Sequence, residues 1–251
     1  MAQRFVDGVV LVTGGSSGIG AGLAVRLHAK GARVIVAGRD IERLEAVAGP
    51  HARMSVVFMD VADPDSVRRG MSEVGESVPY LTTLVNNAGV QRLLDFSVPE
   101  PPGPAAVAPE IATNLVGLIN VTSAALPLLR RAPRARVIHV SSGLGFVPHA
   151  GAPVYSATKA AVHSFTVSLR HQLVGSTVQV VEIIPPVVDT RLHRDMPSAP
   201  PMATPLDRFL DKAMRGLDGG KDEVAIGLGR VSQVGARVAP NLLFSLINRK
   251  S

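Results

Sequence analysis

Residues 9–12 form an apolar, mostly β-branched run that ends at Thr13, and glycines follow at positions 14, 15, 18 and 20. A helical pattern then runs through Leu23, Ala24 and Leu27 to Lys30, Gly31 stops it, and a second apolar run opens at Arg33-Val34-Ile35-Val36-Ala37. Strand, glycine turn, helix and strand in this order confine the chain to few folds. The glycines let the backbone turn sharply and approach a pyrophosphate, and the helix N-terminus offers it free N–H groups and a partial positive charge. A turn that only packs strand on helix is the alternative, and the flanking strands favour dinucleotide binding. The spacing is Gly14-x3-Gly18-x-Gly20 rather than G-x-G-x-x-G, and it lacks the lysine of a P-loop, which disfavours triphosphate hydrolysis.

The alternation continues along the chain. Further strands are expected at 54–59, 80–85, 136–140 and 178–184. Helices are expected after Asp40, after the Asp63-Pro64 cap, over about 105–130 and over about 153–174. Nearly all-apolar strands alternating with helices indicate a parallel sheet covered on both faces. The expected fold is α/β and Rossmann-like: one domain over 1–251, with a doubly wound, mostly parallel seven-stranded sheet and helices on both faces. Two segments break the rhythm. Proline-rich 97–109 should be a loop before or at the start of a helix. Residues 185–215 follow a strand's carboxyl end, where such sheets bind ligands, and are expected to shape a substrate pocket. Leu192, Met196, Met202, Leu206 and Phe209 would make that pocket apolar, and Arg191 and Arg194 would suit an acidic tail on the substrate.

The second strand addresses the cofactor. An acidic residue near its end commonly accepts from the ribose 2′-hydroxyl of NAD. Here Gly38 leaves space and Arg39 can bind a 2′-phosphate through charge-assisted bonds. Asp40 is the objection, but it stands where it can cap the following helix. NADPH/NADP+ is therefore expected over NADH. With no cysteine, disulfides, thiolate metal sites and cysteine nucleophiles are excluded. The net charge of +6 comes from scattered basic residues with no run of five, which argues against a nucleic-acid module. The N-terminus lacks a leader-length apolar stretch, and no segment reaches the roughly 20 apolar residues of a spanning helix. The chain is expected to be cytoplasmic, without a transmembrane segment. His139, His149, His163 and His171 lack a shared ligand spacing with carboxylates, so no metal is expected.

Tyr155 and Lys159 are four residues apart on a helix and so share a face. A phenol titrates near pH ~10, and a nearby ammonium should lower that value and make it a usable acid or base. Such pairs are common on surfaces, and their neighbours give this one meaning. Ser141-Ser142 follows the fifth strand, where a hydroxyl can donate to a carbonyl oxygen that gains charge as hydride arrives. Asn86-Asn87-Ala88-Gly89 closes the fourth strand at the same edge of the sheet.

These pieces, with Thr13 to Gly20, Asp60-Val61, Asn114 and Tyr155-Ser156-Ala157-Thr158-Lys159, resemble the short-chain dehydrogenase/reductase family over about 5–190. The resemblance implies an NAD(P)-dependent oxidoreductase acting on a small-molecule carbonyl or alcohol. Tyr155 would give or take the proton, Lys159 would bind the nicotinamide ribose and tune Tyr155, and Ser142 would hold the substrate oxygen. Asn114 would anchor a water relay. Gly14, Ser16, Ser17, Gly18, Ile19 and Gly20 would take the phosphates, and Asp60 and Val61 would border the adenine. Asn87, Ala88 and Gly89 would line the cofactor's adenosine-ribose and nicotinamide side, Thr190 would reach the nicotinamide carboxamide, and Pro185 and Val188 would also bind the cofactor. Family resemblance also implies a homodimer or homotetramer.

The chain departs from the family in one place: Pro185-Pro186 replaces the usual Pro-Gly after the sixth strand, which stiffens the backbone and removes a donor. The variant is similar to a bacterial branch named for teichoic-acid D-alanine esterification, a label that identifies no substrate. Two other readings use the same residues: reduction of an imine or other double bond, and a cofactor-binding sensor or scaffold without turnover. The intact set Asn114, Ser142, Tyr155 and Lys159 argues against the scaffold. Phe146 and His149, between Ser142 and Tyr155, are candidates to touch substrate. A C-terminal helix is expected at 231–248, with an apolar stripe that would dock on its own sheet, on a partner subunit or on an anionic membrane, in that order.

Overall fold

The structure, a computed structural model, describes residues 8–193 and 203–248. Its strands are β1 (Val9–Thr13), β2 (Arg33–Gly38), β3 (Met54–Phe58), β4 (Thr83–Asn86), β5 (Ala135–Val140), β6 (Val178–Ile184) and β7 (Glu223–Ala225). They form one parallel sheet in the order β3-β2-β1-β4-β5-β6-β7. The order reverses between β1 and β4, which opens a crevice at the carboxyl edge. Helices α1 (Gly18–Ala29), α2 (Ile41–Ala48), α3 (Pro64–Ser77), α4 (Pro104–Ile111), α5 (Gly117–Arg130), α6 (Pro153–Gln172), α7 (Leu206–Asp218), α8 (Leu228–Val238) and α9 (Pro240–Ile247) cover the rest.

The strands are apolar on both faces because both faces are buried. In β1, Val10 and Val12 point into a core shared with Leu23 and Leu27 of α1 and Phe209 and Leu210 of α7. Leu11 points to the opposite core, with Val121 and Leu129 of α5 and Val67 and Met71 of α3. Asp63 and Pro64 start α3 as expected, the Asp63 carboxylate accepting from Asp65 N. Phe209 is fully buried and Leu206 packs against the same core, so neither shapes a pocket as expected. Their helix lies on α1, and an apolar stripe alone does not distinguish core from pocket. Arg194, Met196 and Met202 fall outside the described residues.

Two helical regions are more elaborate than expected. α4 and α5 are joined through a π-helical turn, Ala112–Val116, into one run, Pro104–Arg130, with a mean hydropathy of 1.5 over its most apolar stretch. By length and composition alone it could cross a membrane, a candidate that the sequence reading did not single out, but Val121, Ala125 and Leu129 are buried in the core against the sheet. The single helix expected at 231–248 is two, α8 and α9, broken at Ala239 because Pro240 cannot continue the preceding hydrogen-bond ladder. Their apolar stripe does not dock on the sheet: Val231, Val234, Val238, Leu242 and Leu246 are exposed.

Candidate active site

The registers bring the strand ends to one edge. Thr13 pairs with Ala37, Gly38 with Phe58, Asn86 with His139 and Val140 with Ile183. The loops that follow enclose a cavity of about 660 Å3. Of the expected site residues, all but Gly20 and Asn114 line it. Those two sit directly behind the wall.

The β1–α1 loop is made by backbone. Gly14 (φ +64°) and Gly18 (φ +54°) take left-handed conformations that side chains disfavour. A Cβ on Gly14 would lie 2.8 Å from Ala88 Cα, and one on Gly20 would collide with Gly14 O and the Asn87 amide. The loop is locked to β4: Asn87 Nδ2 donates to Thr13 O and Gly14 O, both at 3.1 Å, and Thr13 Oγ1 accepts from Asn87 N and Ala88 N. Asn87 thus holds the cradle together as well as lining it. Ser17, the residue before α1, makes no capping bond to it, so the first-turn N–H groups face the cavity. An uncapped helix N-terminus above a glycine turn fits a pyrophosphate.

At the far end of the loop edge, the Asp40 carboxylate accepts from Arg43 N at 3.1 Å and pairs with Arg43 Nε at 3.1 Å, so it caps α2 as expected. Arg39 is two-thirds exposed, with Nη1 3.8 Å from Asp60 Oδ2. The Asp60 Oδ1 accepts from Ala62 N at 3.0 Å. Arg39 therefore stands at the cavity rim, its guanidinium largely open to a ligand.

Tyr155 lies in the first turn of α6 and Ser142 just beyond β5. Both are buried, and Ser142 hydrogen-bonds the phenol. Ser142 Oγ also accepts from Leu144 N at 3.1 Å. Lys159 is buried, with Nζ 5.6 Å from the Tyr155 ring centroid and donating to Val140 O at 2.9 Å. Proximity to Lys159 was expected to lower the phenol's pKa. Instead burial raises it well above the usual tyrosine value, against the bond from Ser142, and the Glu110 carboxylate adds to the rise. Burial likewise pulls Lys159 down to about 8, against the attraction of Glu182 and Glu110. The phenol is thus held protonated across the neutral range.

Asn114 occupies the π-helical turn and is buried. Its Oδ1 accepts from Val90 N at 2.8 Å, and its Nδ2 donates to Val90 O at 2.8 Å and to Thr158 Oγ1 at 3.2 Å. It ties the β4 loop to the helix carrying Lys159. At Gly89, a Cβ would lie 3.3 Å from Asn114 Oδ1 and 3.7 Å from Lys159 Nζ, so only glycine leaves this space open.

Sequence reasoning missed Glu110, one helical turn before Asn114. It is fully buried, Oε1 accepts from Arg92 N at 3.3 Å, and Oε2 has no partner among the described residues. Burial raises its pKa, against the Arg92 N–H, the Arg92 charge and Lys159. An acidic residue in an apolar helix four positions before a candidate catalytic asparagine was the available signal. Leu228, Ser232 and Ile247 also line the cavity, and were missed because they lie far along the chain. Phe146 and His149 do not line it. Phe146 packs on the His163 ring at 4.5 Å. His139 bridges Thr122 and Thr166 in the core, and burial pulls it down to about 3, so it is neutral there. His163 pairs with the buried Glu182 at 2.8 Å, a bond that raises its pKa. Among the described residues no three His, Asp or Glu side chains gather as metal ligands would.

Residues 8–200 match the model of the short chain dehydrogenase family. The chain is 37% identical over 229 residues to an uncharacterized oxidoreductase, DltE, of Bacillus subtilis, covering 88% of this chain and 89% of the relative. It is 35% identical to sulfoacetaldehyde reductase 2 of Chromohalobacter salexigens over 72% of this chain and 73% of the relative. A short chain dehydrogenase from Burkholderia cenocepacia, solved in complex with NADP, superposes with a TM-score of 0.85 at 29% identity, covering 99% and 100% of the two chains. The Pseudomonas aeruginosa RhlG/NADP complex superposes at 0.77 with 28% identity, covering 86% and 92%. The chain belongs to the short chain dehydrogenase family and is an NAD(P)-dependent oxidoreductase.

Proposed function

We propose, from that membership, that the protein reversibly reduces ketones or aldehydes to alcohols with NADPH, using Tyr155 as the general acid and base. The observation that carries this reading is the buried Tyr155 phenol, bonded to Ser142 and held protonated beside the Lys159 ammonium. A proton donor in its acid form at neutral pH suits reduction. The two relatives solved with NADP, and the aldehyde reductase among the sequence relatives, support it.

Each residue has a defined task. The free N–H groups of α1 would hold the pyrophosphate, and Arg39 would bind the 2′-phosphate that distinguishes NADPH. The bound cofactor supplies the hydride. Ser142 donates to the substrate oxygen as its negative charge grows, and Tyr155 delivers the proton to that oxygen. Lys159 would hold the nicotinamide ribose, and Asn114 fixes the Val90 backbone, where a water would return the proton. A cytoplasmic location and a homodimer or homotetramer belong to the same reading. The exposed Val167 of α6 and Val231 of α8 are apolar surface for such an assembly, which light scattering would detect.

The test follows NADPH absorbance against a panel of ketones and aldehydes. At least one should be turned over. Tyr155→Phe should lower kcat by about a thousandfold while the NADPH dissociation constant changes less than about threefold, since the phenol's hydroxyl is a small part of a large cofactor interface. Full activity in that variant would overturn the mechanism.

A further inference from the structure

Residues 228–248 lie outside the sheet, yet both ends of this helical hairpin rest on one loop, residues 143–150, which runs between Ser142 and Tyr155. At the near end, the first turn of α8 sits on Gly143. A Cβ there would lie 3.2 Å from Gly229 Cα and 3.3 Å from Ser232 Oγ. Gly229 has no room either, since its Cβ would lie 2.5 Å from Ile184 O. At the far end, Asn248 Oδ1 accepts from Ala150 N at 2.6 Å, and Nδ2 donates to Pro148 O at 3.0 Å and Phe244 O at 2.9 Å.

Between these anchors a side-chain hydrogen bond ties the hairpin to β7, Gln233 Nε2 donating to Glu223 Oε2 at 2.6 Å. The hairpin leaves the sheet at Gly227, whose φ of +54° favours glycine. α9 contains no buried residue and leans on α8 through Leu243, which fills the notch at Gly235. Leu228 and Ile247 line the cavity, together with Leu144 and Leu192 from two other segments. Four aliphatic side chains thus line the cavity, and Leu144, Leu228 and Ile247 belong to the loop after Ser142 and to the hairpin ends that rest on it. Arg39, Arg43 and Asp60 line the part of the cavity next to β2 and β3, which the cofactor reading assigns to adenosine. Of the two other arginines of the lining, Arg92 bonds Ala106 O at 3.4 Å and Arg191 is exposed at the rim.

We propose that the α8–α9 hairpin is the substrate-side wall of the cavity, latched by Asn248, and that Leu228 and Ile247 select a carbonyl compound with an apolar tail. This rests on the reading that Ser142 and Tyr155 hold the carbonyl. Tail methylenes leave water against these side chains, which strengthens binding by about fourfold per fully buried methylene. The latch keeps the wall closed over the tail, and its loss leaves the tail partly wet.

The test is independent of turnover. A series of straight-chain primary alcohols of increasing length is titrated calorimetrically into the enzyme–NADPH complex, a pairing with no hydride acceptor. The dissociation constant should fall by about three- to fourfold per methylene until the wall is covered. The Leu228→Ser/Ile247→Ser double variant should lose most of this dependence, Asn248→Ala should weaken it, and Val231→Ser on the outer face should keep it. A dissociation constant independent of length in the wild type, or an unchanged dependence in the double variant, would overturn the proposal. Length-dependent binding without turnover of any carbonyl would instead count against the reduction chemistry, and turnover without length dependence against the wall.

Discussion

The two ends of the cavity are built by different means. The end formed by β1, α1 and β2 is made of backbone: glycines at 14 and 20 whose added Cβ atoms meet the next loop, and an asparagine amide that bolts that loop to β4. The end formed by α8, α9 and Leu192 is made of side chains on segments with little or nothing in the core. A cofactor shared by many enzymes calls for a site that tolerates no change, whereas a substrate that differs between enzymes calls for one that is cheap to change. Tyr155, Ser142 and Lys159 stand at the seam and serve both.

The sharpest way to break this contrast is to put a methyl group in the backbone-built end. Gly20→Ala should weaken NADPH binding by about a hundredfold, because the loop must open to admit a Cβ against Gly14 O and α1 N–H groups lose their aim. Fluorescence titration with NADPH measures it. An affinity within a few-fold of wild type would mean that the cradle is adaptable and the contrast false.

At the seam, Lys159→Met should end turnover and stabilise the apo fold by about 2 kcal/mol at pH 7. Lys159 has its folded pKa pulled down to about 8 from 10.5. Below pH 8 the fold carries a buried ammonium, so wild-type stability is lowest there and rises as pH climbs from about 8 to 10.5. The advantage of the variant should therefore shrink across that window. Urea denaturation at pH 7 and pH 10 checks it, and a variant less stable at pH 7 would show that the bond to Val140 O outweighs desolvation.

Arg39→Ala should lower the preference for NADPH over NADH by about tenfold, read as the ratio of the two kcat/KM values. An unchanged ratio would remove Arg39 from cofactor selection. The smallest effect belongs to Glu110. Its carboxylate raises the Tyr155 pKa, so Glu110→Gln should move the alkaline limb of the reduction profile to lower pH by about half a unit. A shift to higher pH would exclude this charge effect.

What could be read from sequence follows the same division. The backbone-built end was legible because its requirements are local: Thr13 to Gly20 spell a turn, and Asp40 and Asp63 spell helix caps. Arg39 and Asp40 could be told apart because one follows a strand and the other opens a helix. The substrate end was not legible. The stripe at 231, 234, 238 and 242 keeps helical spacing through Ala239, so only Pro240 marked the break. Phe209 and Ile247 are both apolar residues of amphipathic helices, and only tertiary packing puts one in the core and the other on the cavity. The spacing of Tyr155 and Lys159 shows a charge nearby but not their burial, and burial governs both pKa values.

The break at Gly227 bears on how such a chain diversifies. The sheet ends at Ala225, and no described residue beyond Ile226 enters either core cluster. Apart from Gly229 and Ser232, which pack tightly on Gly143 and the end of β6, substitutions in the hairpin therefore carry little folding penalty. A gene encoding this chain can exchange its last two helices as a cassette, and a new preference can arise there while the hydride-transfer apparatus is inherited intact.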